Sequence, residues 1–279
     1  MPQKEPLVTI CVPHWQVQEL ITLCLRAIRK FTTKIPFEIL VVDNGSQDDS
    51  LDYLRGLKWI RLIERRKEDL PDFWVDGFVT ALDIGFANSS SPYFIIMHTD
   101  TIVKHPDWLE RLLEPMQNDP LCAASGAWKL ELRSPLNELL RKITDTKKAQ
   151  LWFKRVILGN KDARQRCHEL CPRDYCALYR SEPIRKFGLR FDSYGKYKGY
   201  TAAEQMYYQL KEHGYHASVI DTAEMMKYMV HLAHATAGLR PAERRLGHLR
   251  AQIKAENKIR KLFNSNLAKE LMEDPSLDK

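Results

Sequence analysis

Glu38-Ile39-Leu40-Val41-Val42-Asp43-Asn44-Gly45-Ser46 is the stretch on which the fold turns. Phe37 and the four apolar residues Ile39 to Val42 read as a short buried strand, which stops at the turn-forming run Asp43-Asn44-Gly45-Ser46. Upstream, residues 7–13 form a second β-branched run closed by Pro13, with a helix predicted over 18–31. Downstream, helical character resumes over 48–57, a strand follows at 59–63, and Phe78, Leu82 and Phe86 mark a helix over 76–88. A fourth strand at 93–97 runs into His98-Thr99-Asp100. Strand and helix alternating at this rhythm predict parallel strands joined by crossover helices, an α/β doubly wound sheet.

In such sheets ligands sit beyond the carboxyl ends of the strands. Three strand ends carry polar or aromatic residues there: Pro13-His14-Trp15, Asp43-Asn44-Gly45-Ser46 and His98-Thr99-Asp100. The first strand is not followed by Gly-x-Gly-x-x-Gly, and there is no Gly-Lys-Ser/Thr loop. A dinucleotide fold and a P-loop enzyme are therefore disfavoured. Beyond Trp108 the pattern gives a helix over 106–117, a strand over 122–130, a strand over 175–179, a helix over 202–213 stopped by Gly214, and a strand over 215–220. From Pro241 onward the sequence reads as a basic helical tail.

Of 279 residues, 44% are hydrophobic and 28% charged, the balance of an ordinary globular chain. No apolar run is long enough to span a bilayer, and the first residues show no secretory signal. The expectation is a cytoplasmic protein with reduced cysteines. Cys11 and Cys24 read as core residues, while Cys167, His168, Cys171 and Cys176 lack the paired spacing of a structural zinc site. The net charge of +7 is concentrated in two stretches. Residues 133–166 hold ten Lys/Arg against three Asp/Glu, and residues 240–261 hold eight against two. Such patches suit an anionic partner, and each alone is equally a solvated helix face.

Three blocks, Val8-Thr9-Ile10-Cys11-Val12-Pro13, Glu38 to Ser46 followed by Asp48, and Gly77 to Asp100, carry a family likeness, joined by Tyr175 to Asp192. Over roughly residues 7–236 the chain resembles the inverting family 2 glycosyltransferases of the GT-A fold. That resemblance implies a Rossmann-like, mostly parallel central sheet with flanking helices, here followed by a helical C-terminal tail. It divides the chain into a GT-A domain over 1–236 and a basic tail over 237–279. The donor half would be 7–105, and the acceptor half 106–236 with a basic insertion at 133–166. The implied activity is that of an inverting hexosyltransferase, moving sugar from a UDP- or GDP-type nucleotide sugar to a hydroxyl of a glycan or lipid-linked acceptor. By analogy its pathway is bacterial cell-surface polysaccharide or lipopolysaccharide synthesis.

Carried over position by position, the resemblance gives Asp43 a hydrogen bond to the nucleotide base, with Pro13, His14, Trp15 and Asn44 around it; an indole face can stack on a pyrimidine. Asp83 would face the donor from the preceding helix. His98-Thr99-Asp100 takes the place of the family's Asp-x-Asp, which holds Mn2+ or Mg2+ against the diphosphate. Asp100 matches the metal-coordinating position, and His98 departs from the pattern. An imidazole there donates a hydrogen bond or favours Mn2+ over Mg2+. His231 and His234 are the downstream candidates for completing the metal site. Glu204, at a helix start before Gly214-Tyr215, is the candidate general base, with Asp192 and Asp174 in reserve. The bland reading of Glu204 is an acid placed on a helix dipole.

The basic segments, with Trp152 and Phe153, would rest peripherally on the inner face of an anionic membrane or meet a phosphorylated acceptor. The tail could equally serve a homodimer. The competing reading is a catalytically degenerate GT-A-like binding protein using its basic surface. Aromatic residues interleaved with the basic ones in a nucleic-acid motif are missing, so nucleic acid is not an expected partner.

Overall fold

The computed structural model describes residues 5–70, 74–128, 170–193, 200–232, 235, 239 and 249–279. Its strands are β1 (Val8–His14), β2 (Phe37–Asp43), β3 (Ile60–Glu64), β4 (Tyr93–Met97), β5 (Thr101–Val103), β6 (Cys122–Ala127), β7 (Cys176–Arg180), β8 (His216–Ile220) and β9 (Met229–His231). The helices are α1 (Gln18–Phe31), α2 (Ser50–Gly56), α3 (Trp74–Ala87), α4 (Trp108–Asn118), α5 (Ser181–Phe187), α6 (Ala202–Glu212), α7 (Thr222–Tyr228), α8 (Leu249–Phe263) and α9 (Asn266–Met272).

Seven strands form one sheet in the order β3-β2-β1-β4-β7-β6-β8, and β5 with β9 makes a small second sheet. Strands β3, β2, β1 and β4 are parallel to one another, as the βα alternation predicts. Strand β7 runs antiparallel to both β4 and β6, while β6 and β8 are parallel. The sheet is thus mostly parallel with one reversed strand. The reversal brings the start of β7 to the same edge as the ends of β1, β2 and β4. Chain order reverses between β1 and β4, which is where a crevice opens in this class of sheet. The register agrees: β1 and β4 part after Cys11↔Ile96, whereas β1 stays paired with β2 out to His14↔Asp43.

Every residue of β1 is buried because helices cover both faces. One face is packed by α1, α2, α4 and α9, with Ile10, Val12, Ile28, Leu112 and Leu271 in its core. The other is packed by α3, α5 and α6 through Leu82, Ile184, Met206 and Leu210. Gly85 lets α3 approach the sheet: a Cβ there would lie 2.4 Å from Cys11 Sγ.

The C-terminal helices form as the periodicity predicts, and they pack into the main body. Ala268 and Leu271 are buried in the α1 core. Arg26 of α1 donates to both carboxylate oxygens of Asp278 and to the carbonyls of Leu271 and Met272. Two of those carbonyls end α9, where a cation complements the helix dipole. Among the described residues no helix is long and apolar enough to cross a membrane. The basic insertion at 133–166, including Trp152 and Phe153, lies outside the described residues, as do Cys167, His168 and His234.

Strands β5 and β9 and helix α7 are additions to the sequence expectation, whereas α5 falls within the strand-and-helix segment 175–192 that the resemblance implied. Three-residue strands are too short for a periodicity to register. Here they matter, because β5 follows Asp100 directly and β9 ends at His231.

Candidate active site

The first wall of the crevice is the turn after β1. His14 is buried; its Nε2 lies 2.9 Å from Ser50 Oγ, and its Nδ1 has no partner among the described residues. Burial pushes its pKa down to about 4, with Asp48 opposing only in part, so the imidazole is neutral at neutral pH. Trp15 follows with 39% of its surface exposed. Gln16 and Val17 then both adopt left-handed backbone, at φ 56° and 68°. For a β-branched residue this is an outlier, and each such residue costs about 1–3 kcal/mol. Two hydrogen bonds from the β2 turn hold the conformation: Gln16 N to Ser46 Oγ at 2.8 Å and Val17 N to Asp48 Oδ2 at 2.6 Å.

Because His14 titrates lower in the folded chain than its ordinary 6.5, the unfolded chain binds more protons between those values. Stability is full above pH 6.5 and falls as pH drops towards 4. Replacing His14 with Gln is expected to remove a loss on the order of 3 kcal/mol over that window. Urea midpoints at pH 7 and pH 4.5 check this: the wild-type midpoint should fall more than that of the variant.

The second wall is the β2 turn. Asp43 is buried and accepts from Ser46 N at 3.0 Å and Ser46 Oγ at 2.5 Å. Burial raises its carboxyl pKa, and those hydrogen bonds offset part of the rise. Gly45 sits at φ +69°, against Leu70 and Lys67, where a side chain would be strained. Asn44 accepts from Arg65 Nη1 at 2.7 Å, and the same nitrogen reaches the Gly77 carbonyl at 2.9 Å. Pro13 is buried next to the point where β1 and β4 part.

His98, Thr99 and Asp100 leave the end of β4 and form the third wall. His98 N donates to the Tyr175 carbonyl at 3.0 Å, and Thr101 pairs with His231 across β5 and β9. This pairing brings His98, Asp100 and His231 together, with one ligand atom from each within 4.8 Å of the others. His231 Nε2 stands 3.2 Å from Asp100 Oδ1, and His98 Nδ1 stands 3.7 Å from the same oxygen. Yet Asp100 Oδ1 and His231 Nε2 are buried with no hydrogen bond among the described residues. Asp100 Oδ2 accepts from Ala235 N at 3.3 Å. Burial alone would raise the Asp100 pKa; the His231 and His98 imidazoles outweigh it and hold the carboxyl well below the usual range. Buried polar atoms are normally paired. A carboxylate oxygen and an imidazole nitrogen 3.2 Å apart, with no other partner among the described residues and a third ligand atom at the rim, fit a cation.

On the acceptor side, Glu204 lies at the third position of α6 in a capping box with Thr201. Its Oε2 accepts from Thr201 N at 2.9 Å and its Oε1 from Arg173 Nη1 at 2.7 Å. Arg173 in turn lies over the Trp128 ring at 4.7 Å. Asp174 Oδ1 accepts from Ala203 N of the same helix at 2.6 Å, and its other oxygen has no partner among the described residues. Asp83 of α3 is engaged by the segment 190–192. It accepts from the backbone of Phe191 and Asp192 and pairs with Arg190, clasping α3 to the segment before α6. The Asp192 backbone N–H belongs to that clasp. Burial raises the Asp83 pKa, and the two backbone bonds partly offset the rise.

Sequence reasoning passed over Tyr175, whose ring stacks on His231 at 4.8 Å and 21°. It also passed over Arg65 and the strained pair Gln16 and Val17. Arg65 follows a strand end and could have been found by that position. Nothing local in the sequence marks the other three. Among the described residues, His98, Asp100 and His231 are the one group of three metal-type ligands; Cys171 and Cys176 are buried outside it.

Residues 9–188 match the model of Glycosyl transferase family 2. An uncharacterized glycosyltransferase of Haemophilus influenzae is 28% identical over 44% of this chain and 36% of its own. Glycosyltransferase AglE of Haloferax volcanii is 32% identical over 38% of this chain and 34% of its own. The chain thus spans about a third of the length of these curated relatives. Among solved structures, mannosyltransferase PcManGT of Pyrobaculum calidifontis, in complex with GDP-Man and Mn2+, superposes with a TM-score of 0.50 at 18% identity. That superposition covers 78% of this chain and 56% of the other, and it shows a shared GT-A fold. With its family model spanning more than half of its length and its strand ends gathered at one crevice, this chain belongs to glycosyl transferase family 2.

Proposed function

We propose that the protein transfers a sugar, with inversion, from a nucleotide-diphosphate donor to a hydroxyl of a glycan or lipid-linked acceptor, and that it depends on a divalent metal. The observation that carries this reading is the buried pair Asp100 Oδ1 and His231 Nε2, 3.2 Å apart and with no other partner among the described residues, at the sheet's switch point. The Pyrobaculum protein, which holds GDP-Man and Mn2+ on the same fold, supports it.

Asp100 and His231 would hold Mn2+ or Mg2+. When bound, such an ion neutralises charge developing on the leaving diphosphate. The chain's own residues do the rest. Asp43 and Asn44, fixed by Ser46 and Arg65, present a carboxylate and an amide to the nucleotide. Trp15, carried on the strained turn, offers an exposed ring face for stacking.

Inversion in one displacement needs a base for the acceptor proton. Glu204 has a donor on each oxygen, which makes it a strut for α6. Asp174 has one oxygen oriented by the Ala203 amide and the other open. It also directly precedes Tyr175, whose carbonyl binds His98 N and whose ring backs His231. We therefore assign the proton to Asp174. The basic stretches 133–166 and 240–261 are offered as contacts for an anionic membrane or phosphorylated acceptor.

The test is turnover. Wild-type protein is incubated with UDP-, GDP-, CDP- and dTDP-sugars, Mn2+ and glycan or lipid-linked acceptors. Proton NMR then reads the anomeric configuration of any product. An inverted linkage supports the reading; a retained one overturns the displacement just described.

A further inference from the structure

We infer that a pocket on the edge of the sheet opposite the donor crevice is a second saccharide site, taking a sugar ring that carries a carboxylate. It lies among the start of β4, the end of β7 and the segments leading into β6 and β8, and its volume is about 480 Å³. Pockets of this size hold small organic ligands. Tyr93 pairs with Arg180 at this edge, whereas Met97 pairs with Cys176 at the other. The length of β4 between them, about 13 Å, separates the pocket from the donor crevice. The pocket stands whether or not the crevice binds a nucleotide sugar.

Two cations line the pocket, and both are fixed from behind. Arg180 Nη2 donates to the carbonyls of Met116 at 2.6 Å and Asp119 at 3.3 Å, and its Nε donates to that of Cys122 at 3.4 Å. Its guanidinium lies 5.7 Å from the centre of the Tyr93 ring. Its Nη1 makes no hydrogen bond among the described residues. Arg185 is likewise held by the carbonyls of Ser89 at 2.9 Å and Ser91 at 3.4 Å, over the Phe86 ring at 5.0 Å. Arg26, Arg55, Arg111 and Arg173 each face a carboxylate. Arg180 and Arg185 have no ion pair among the described residues, so their charge is available to a ligand. A guanidinium already oriented loses little freedom on meeting a carboxylate, and such charge-assisted bonds are among the strong ones.

The rest of the lining points to what carries that carboxylate. Glu182 also borders the pocket, exposed and paired with neither arginine. It would repel a bare anion, and a phosphate dianion more than a carboxylate. A sugar hydroxyl, by contrast, donates to it. Guanidinium donors beside a carboxylate acceptor suit a polyhydroxyl ring, each hydroxyl of which both donates and accepts. Tyr93, Tyr215 and Leu121, the last 55% exposed, supply the apolar part of the wall. The C–H face of a sugar ring packs against such surfaces, with polar groups free at its rim. A uronic acid residue meets all three demands at once.

Calorimetric titration of trigalacturonate into the full chain tests this, with maltotriose as the neutral saccharide and adipate as the acid without hydroxyls. The expected result is one equivalent of trigalacturonate, bound at least about tenfold more tightly than either control. Leu121→Glu adds a carboxylate at an exposed position, and Arg185→Glu reverses one exposed cation. Each should weaken trigalacturonate at least about tenfold, with circular dichroism confirming the fold. Glu182→Gln should weaken it about threefold; equal or tighter binding would mark a bare-anion site and overturn the saccharide. Asp100→Ala should leave the affinity within about twofold, since the crevice lies at the other edge. A larger loss there would place the saccharide in the crevice and overturn the second site. No saturable binding, a control bound as tightly as trigalacturonate, or unchanged affinity in a folded Leu121→Glu or Arg185→Glu would each do the same.

Discussion

Asp174→Asn is expected to slow sugar transfer about a thousandfold, with donor affinity changed by no more than about twofold. The substitution preserves shape and keeps a carbonyl oxygen for the Ala203 amide, which the carboxylate accepts at 2.6 Å. What it removes is the lone-pair charge that would take the acceptor proton. Glu204→Gln should behave differently. It weakens the Arg173 pair and the capping box, so it should lower stability by about 1–2 kcal/mol and leave most turnover in place. Steady-state kcat and KM for both variants, together with urea midpoints, separate the two roles. Full turnover in Asp174→Asn, or a thousandfold loss in Glu204→Gln, would return the base to α6.

Removing residues 249–279 is expected to prevent a stable fold. Ile259, Ala268 and Leu271 are buried, and Leu262, Phe263, Leu267 and Met272 pack partly against the same cores. Their combined burial contributes on the order of 10 kcal/mol, comparable with the whole net stability of a domain. Arg26 would also lose Asp278 and two carbonyls, leaving a largely buried guanidinium without partners. A second consequence concerns the crevice. Ile259 belongs to one buried cluster with Val17, Leu20, Leu232 and Ala235, a cluster that includes both the strained turn after β1 and the segment after His231. Thermal unfolding by circular dichroism tests this. A cooperative transition within a few degrees of the full chain would contradict it. Liposome binding by the tail is better probed by charge reversal on exposed positions than by deletion.

The donor half was legible in the sequence because β1, β2 and β4 are mostly buried, largely apolar runs ending in a turn signal. Phe37–Asp43 and Tyr93–Met97 have the bounds expected to within one residue. The convergence of residues 13–15, 43–46 and 98–100 followed from the position of strand ends in a parallel sheet, without any knowledge of side-chain contacts. The reversed direction of β7 was not legible, since an apolar run looks the same in either direction. His231, 131 residues from Asp100, was named with His234 only through the family resemblance, because the three-residue strands that bring it near have no periodic signature. Glu204 shows the limit of spacing arguments. Its place at the start of α6 fits both a base and a cap; the partners it has, Thr201 and Arg173, are those of a cap, and the kinetics of Glu204→Gln and Asp174→Asn decide between the roles. The same holds for Asp83, whose helical position is compatible with a donor contact but whose carboxylate holds the 191–192 backbone and the Arg190 side chain.

The most direct test of the central claim is calorimetric titration of UDP-, GDP-, CDP- and dTDP-sugars into wild type and Asp100→Ala, each with and without Mn2+. Pairing across β5 and β9 does not depend on the Asp100 side chain, so the variant should remain folded. The account predicts that at least one donor binds wild type at least tenfold more tightly with Mn2+, and that Asp100→Ala loses this enhancement entirely. Equal binding with and without Mn2+ in wild type, or an enhancement that survives in Asp100→Ala, would contradict it.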